Sequence, residues 1–198
     1  MAMEILYEDR DIVVCIKPVG FDSEHELPAA LGHPIYTVHR LDKNVGGVMV
    51  YAKNKETAAS LSKQIQNGQM TKEYVALVEG TPPEEGVLED LLFKDSKKNK
   101  VFVVDRQRSG VKAAKLSYKR LTAGEQSLVR VRLYTGRSHQ IRVQFASRGY
   151  PLVGDKKYGA RGKEKDIGLF SYCLTFMHKG KICSYSASPD WVTVEKNL

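Results

Sequence analysis

Short apolar runs bounded by turn residues dominate the chain, and they predict more strands than helices. Ile5-Leu6-Tyr7 and Ile12-Val13-Val14-Cys15-Ile16 read as strands, the second ending at the turn signal Lys17-Pro18-Val19-Gly20. A short helix follows over Glu26 to Leu31, then an extended Tyr36-Thr37-Val38 that leads into His39-Arg40-Leu41-Asp42. Val45 to Ala52 is a continuous apolar run holding Gly46 and Gly47, the pattern of a buried strand that another backbone approaches closely. Lys55 to Asn67 is the clearest helix: Asn54 can cap it, Ala58, Leu61 and Ile65 share one face, and Gly68 can end it. Tyr74 to Val78 is the next strand. Val87 to Phe93 and Val101 to Val104 flank the polar hairpin tip Asp95 to Lys100. Ala114 to Arg120 and Ser127 to Tyr134 form another antiparallel pair, with Val129, Val131 and Leu133 alternating against Arg130 and Arg132. Ser138 to Ser147 reads as a helix, and Leu169 to Phe176, Lys181 to Ser186 and Trp191 to Val194 as closing strands. The sum is an α+β fold: a central mixed, largely antiparallel sheet with flanking helices and loops, in a single domain over residues 1–198.

Composition narrows the class. The 198 residues carry a net charge of +8, with 42% hydrophobic and 27% charged residues, near globular averages. No apolar run has the length of a membrane span, and Met1-Ala2-Met3-Glu4 lacks the regions of a signal peptide. Three scattered cysteines form no CxxC, so neither a disulfide framework nor a zinc site is expected. The expectation is a cytoplasmic monomer. The charge is concentrated between Arg137 and Lys165, where eight basic residues face only Asp155 and Glu164. Phe145, Tyr150 and Tyr158 are interleaved with them, which suits a surface that neutralises phosphates and stacks bases, and equally an ordinary solvated loop.

Several chemistries find no support. There is no phosphate-binding loop, no GxGxxG after a strand, no HExxH and no GxSxG. Ser138 and His139 are adjacent, so their side chains diverge and cannot form a nucleophile–base pair easily. No metal and no nucleotide cofactor is expected.

Three segments remain: His39-Arg40-Leu41-Asp42, Lys72-Glu73-Tyr74-Val75-Ala76 and Gly136-Arg137-Ser138-His139-Gln140-Ile141-Arg142. Read singly, Asp42 is a turn carboxylate, Tyr74 a half-buried strand aromatic and Arg142 one more surface cation. Each also sits at an element boundary, where functional residues concentrate.

Together these segments resemble the RluA family of RNA pseudouridine synthases. Ile5 to Gly20 is similar to the start of that family's catalytic domain, and Gly149-Tyr150-Pro151-Leu152-Val153-Gly154-Asp155-Lys156-Lys157-Tyr158-Gly159 to a later block. The match covers nearly the whole chain in the expected order. The resemblance implies that Asp42 is the nucleophile in the isomerisation of a uridine already in RNA. It implies that Arg142 favours the ionised form of that carboxylate, and that Tyr74 packs against the target base and assists proton removal from C5. It implies that Arg40 enters the helix stack as the uridine flips out, at a cost of a few kcal/mol that RNA contacts must offset. Candidates for those contacts are His39, Arg137, His139, Lys156, Lys157 and Tyr158. No cofactor is implied, because isomerisation involves no net redox change or hydrolysis.

The chain departs from the family pattern twice. Val45-Gly46-Gly47 stands where Thr-Ser-Gly is common, and Phe170-Ser171-Tyr172 where Leu-His-Ala is common. Many relatives carry an S4-like RNA-binding domain before the catalytic one; here the resemblance begins at about Glu4, so RNA affinity is expected from the catalytic domain's own basic surface. The resemblance implies an RNA partner, with transfer and ribosomal RNA both compatible. The competing readings are an RNA-binding module or chaperone on the same scaffold with little catalysis, and glycoside hydrolysis, which would need a second carboxylate brought close by folding.

Overall fold

The computed structural model describes residues 4–32 and 34–192. The chain divides into two compact units, residues 1–73 with 170–198, and residues 74–169.

In the first unit, β1 (Glu4–Glu8) pairs antiparallel with β2 (Ile12–Lys17), and β2 with β4 (Gly46–Ala52). The short β3 (Tyr36–Thr37) lies antiparallel to β4, which runs parallel to β10 (Leu169–His178) at Gly46 and Gly47. β10 turns at Lys179-Gly180 into β11 (Lys181–Ser186), its antiparallel partner. The parallel β4–β10 pair among antiparallel ones makes the sheet mixed, as expected. Gly47 explains that parallel contact. Its φ is +125°, and a Cβ there would lie 2.8 Å from the Ser171 Cα and closer still to that residue's amide and carbonyl. The close approach expected from two glycines in a strand is therefore made by β10.

α1 (Glu26–Leu31) and α2 (Lys55–Gln66) complete the unit. Asn54 caps α2 as expected, its side chain accepting from the Thr57 amide at 2.9 Å. Leu61 buries into a core of Ile12, Val14, Val48, Val50, Leu174 and Phe176, with Ala58 and Ile65 beside it. At the far end of the strands, Asp9 ties the β1–β2 turn to the β10–β11 turn. It accepts from His178 Nε2 at 2.8 Å and Lys179 Nζ at 2.7 Å. Burial alone would raise the Asp9 pKa, but these bonds and the amides of Ile12 and Asp11 outweigh it and hold the carboxyl well below the usual range.

In the second unit the strands follow the order β5 (Thr71–Glu79), β9 (Gln126–Leu133), β8 (Val111–Arg120), β6 (Glu85–Asp95), β7 (Lys100–Val104), antiparallel from β9 through to β7. The β6–β7 hairpin turns on the polar tip as expected, with Asn99 in the left-handed region. α3 (Gln140–Ala146) starts later than its pattern predicts, because His139 adopts φ +51° and stays outside the helix. Every residue from Gln140 to Phe145 is buried. Val143 packs on Leu92, Val101 and Ala114, and Phe145 meets Tyr118 edge-on at 5.0 Å. After α3 the chain meets β5 at Pro151, Val153 and Gly168, through backbone bonds from Glu79 to Pro151, Val153 to Leu77 and Leu77 to Gly168.

The strand expected at Trp191 to Val194 is not formed at residues 191 and 192, and Thr193 and Val194 lie outside the described residues. The cysteines are free, as expected. Among the described residues no helix is long and apolar enough to cross a membrane.

Candidate active site

Asp42 sits on the turn between β3 and β4, and that turn is held from several sides. The Val45 amide donates to the Asp42 carbonyl at 2.9 Å. Lys17, at the end of β2, is fully buried and donates from Nζ to the carbonyls of Pro18 (2.9 Å), Phe21 (2.8 Å) and Lys43 (3.2 Å). The Gly20 amide reaches the same Lys43 carbonyl at 2.8 Å. Leu41 is buried, with its amide and carbonyl both bonded to the Ser23 hydroxyl, and Ser23 is anchored in turn by the Tyr51 hydroxyl. Burial pushes the Lys17 ammonium down to about 8, against the opposing pull of Asp22 and Asp42. These bonds fix the backbone around Asp42.

The other two residues of His39-Arg40-Leu41-Asp42 that were candidates for RNA contact diverge. His39 is only 9% exposed, and its Nε2 accepts from the Val50 amide at 3.2 Å. Burial, helped by the Lys72 charge, pushes its pKa down to about 3, so the ring is neutral. The structure thus gives His39 an interior hydrogen bond in place of the expected surface position. His39 lies on the connection from β3 to β4, where its side chain is buried while that of Arg40 is exposed. Arg40 is exposed and meets Glu24 Oε2 at 2.7 Å, a surface pair of small energetic worth that leaves the guanidinium easy to redeploy.

In the second unit, Tyr74 is 6% exposed at the start of the unit's first strand. Gln140 organises the Gly136-to-Arg142 segment. It accepts from the Arg137 amide (3.0 Å) and the Thr135 hydroxyl (2.8 Å) and donates to the Lys115 carbonyl (3.1 Å). Arg137 stays exposed, its Nε donating to the Ala113 carbonyl at 2.9 Å.

Arg142 is not a surface cation. Its side chain is 6% exposed, and it forms a bidentate pair with Asp155, itself 1% exposed, through Nε–Oδ2 at 2.7 Å and Nη2–Oδ1 at 2.9 Å. The Tyr158 ring lies 5.2 Å from the guanidinium carbon. The Tyr158 hydroxyl accepts from the Val101 amide at 2.9 Å and bonds His139 Nδ1 at 2.8 Å. Tyr158 and His139, read as RNA contacts, are thereby drawn into the surroundings of Arg142.

The basic segment is correspondingly thinner than its composition suggests. Arg142 is buried, and Arg148 pairs with Asp90 at 2.9 Å. Lys156 and Lys157 are exposed, each donating to a backbone carbonyl, of Gly162 and Asn99 respectively. Sequence reasoning missed Asp155 as a partner, counting it only as an opposing charge. It also missed Lys17, taken as part of a turn. The two departures from the family pattern prove to be neighbours: Gly46 is the register partner of Phe170, and Gly47 of Ser171, whose hydroxyl donates to the Val48 carbonyl at 3.0 Å.

Residues 11–147 match the sequence pattern of the family described as RNA pseudouridylate synthase. An uncharacterized RNA pseudouridine synthase of Mycoplasma genitalium is 33% identical over 197 residues, covering 92% of this chain and 62% of its own. The ribosomal large subunit pseudouridine synthase D of Pseudomonas aeruginosa is 35% identical over 176 residues, covering 80% of this chain and 54% of its own. The chain therefore spans less than two thirds of either relative's length. Among solved structures, human RNA pseudouridylate synthase domain containing 1 matches the fold with a TM-score of 0.85 at 22% identity, over 96% of this chain and 84% of that one.

Proposed function

This chain belongs to the RNA pseudouridylate synthase family, and from that premise we propose that it isomerises uridine to pseudouridine within a structured RNA, with Asp42 as the nucleophile. The observation that carries the reading is the placement of Asp42 on a turn locked by buried Lys17 and Ser23, inside the residues that match the family. The reaction breaks the bond from C1′ to N1 and makes one from C1′ to C5. C5 gives up its proton to solvent and N1 gains one, so no oxidant or hydrolytic water is consumed. The protein has to supply an ionised carboxylate, a cation to steady the charge that develops, and a dry enclosure that keeps the detached uracil from escaping.

Arg142 is the cation we assign, and Tyr74 the ring that packs against the base. Arg40, exposed and held by a surface ion pair with Glu24, is the residue that fills the stack when the uridine flips out. Arg137, Lys156 and Lys157, all exposed, are the phosphate contacts we assign, and their free energy offsets the flipping cost of about a few kcal/mol. Both compact units belong to one catalytic domain in this reading. The name of the Pseudomonas aeruginosa relative makes large-subunit ribosomal RNA the first substrate to examine.

The experiment is to map pseudouridine in total RNA from cells lacking the gene, complemented with the wild-type chain or with Asp42→Asn. Modification that returns at defined positions with wild type and stays absent with Asp42→Asn supports the reading and names the RNA. Identical maps for the two strains would refute it.

A further inference from the structure

We propose that Asp155 is a positioning residue for the reaction, acting through Arg142; the inference rests on the functional reading above. A buried ion pair is a poor source of stability, because desolvation of the two charges cancels most of their attraction and an apolar pair of similar volume often serves as well. What the pair does supply is orientation. Asp155 takes the side-on edge of the guanidinium, Nε at 2.7 Å and Nη2 at 2.9 Å, in the fixed fork geometry that only arginine offers. The Tyr158 ring covers the guanidinium at 5.2 Å and is itself tied down by the Val101 amide and His139. In-plane and out-of-plane motions of Arg142 are therefore both restrained, and the end-on edge of the fork, outside this pair, is aimed in one direction.

The carboxylate is as well fixed as the group it holds. The Asp155 carbonyl accepts from the amides of Tyr158 (3.0 Å) and Ala160 (3.1 Å), and its own amide donates to Leu152 at 3.0 Å. Gly154 precedes it with φ +75°, and a side chain there would collide with the Asp166 carbonyl. A turn of that stiffness is more than a surface loop needs. It is what a support for a charge-stabilising arginine needs, since such a cation acts by being aligned before the charge develops.

The test compares wild type, Asp155→Asn, Asp155→Glu and the double variant Arg142→Met/Asp155→Leu. The substrate is RNA tritiated at uracil C5, prepared from cells lacking the gene, and the readouts are kcat and KM for tritium release with the melting temperature of each protein. For Asp155→Asn the expected result is a kcat about 30-fold lower, equivalent to about 2 kcal/mol at 1.36 kcal/mol per decade, with KM within about twofold of wild type. Asp155→Glu should recover part of that loss. The double variant should melt near wild type, having no buried unpaired charge, yet turn over at least about 100-fold more slowly. It also keeps the proposal testable if Asp155→Asn does not fold. A folded Asp155→Asn with kcat within about threefold of wild type, or a double variant that regains both stability and turnover, would overturn the role of Asp155. Wild-type protein that binds the RNA and releases no tritium would instead overturn the functional reading, and the proposal with it.

Discussion

The neutral, buried His39 makes a quantitative statement about acid stability. Its Nε2 accepts the Val50 amide proton, so it can bind no proton of its own without forfeiting that bond and placing a charge where only 9% of the residue is exposed. The folded pKa is about 3 against an ordinary value of 6.5. Because the folded value is the lower one, the unfolded chain binds the extra proton, and stability is fully present above pH 6.5 and lost as the pH falls toward 3. At pH 5, 1.5 units below the ordinary value, the loss is about 2 kcal/mol at 1.36 kcal/mol per unit. His39→Gln keeps a neutral acceptor for the Val50 amide and removes the titration. Urea unfolding of both proteins at pH 8 and pH 5, followed by circular dichroism, isolates the effect, since every other titrating group is common to both. Wild type should lose about 2 kcal/mol more than His39→Gln over that interval. Equal losses would refute the argument that this ring is held neutral by burial.

Two further outcomes follow from the turn and the strand around Asp42. Gly47→Ala should destabilise the protein by about 3 kcal/mol or more, because both its φ and its contact with the Ser171 backbone exclude a Cβ; a melting temperature within a degree or two of wild type would contradict this. Lys17→Met should cost about 2–4 kcal/mol, since the Pro18 and Phe21 carbonyls lose their buried donor while Lys43 keeps the Gly20 amide. It should also slow tritium release more than tenfold by loosening the Asp42 turn; full turnover in a folded Lys17→Met protein would separate that lysine from the site.

Local features were legible in the sequence. The caps of α2 read directly from Asn54 and Gly68, the α+β class from run lengths, and the close strand approach from Gly46-Gly47. Asp42, Tyr74 and Arg142 came from motif resemblance, not from periodicity. What stayed hidden was the burial of polar groups, which depends on partners that folding brings from elsewhere. Lys17 reads as a turn cation because its acceptors are backbone carbonyls, which sequence does not advertise. Asp155 reads as a solvated counter-charge because its partner lies 13 residues away, across an irregular segment with no period to follow. His39 reads as an RNA contact because it stands beside Arg40 in the motif, and nothing in the sequence shows that its ring is buried against the Val50 amide. The Gly154-Asp155 pair inside a basic run is a signal from which Asp155 could have been found.

The central claim is that Asp42 starts a uridine isomerisation, and tritium release tests it most directly. Purified wild-type protein, incubated with RNA tritiated at uracil C5 from cells lacking the gene, should release tritium to water in proportion to the pseudouridine formed. Asp42→Asn, folded and still binding the RNA, should release none above background. Release by Asp42→Asn at the wild-type rate would contradict the account, as would free uracil in solution in place of pseudouridine in the RNA.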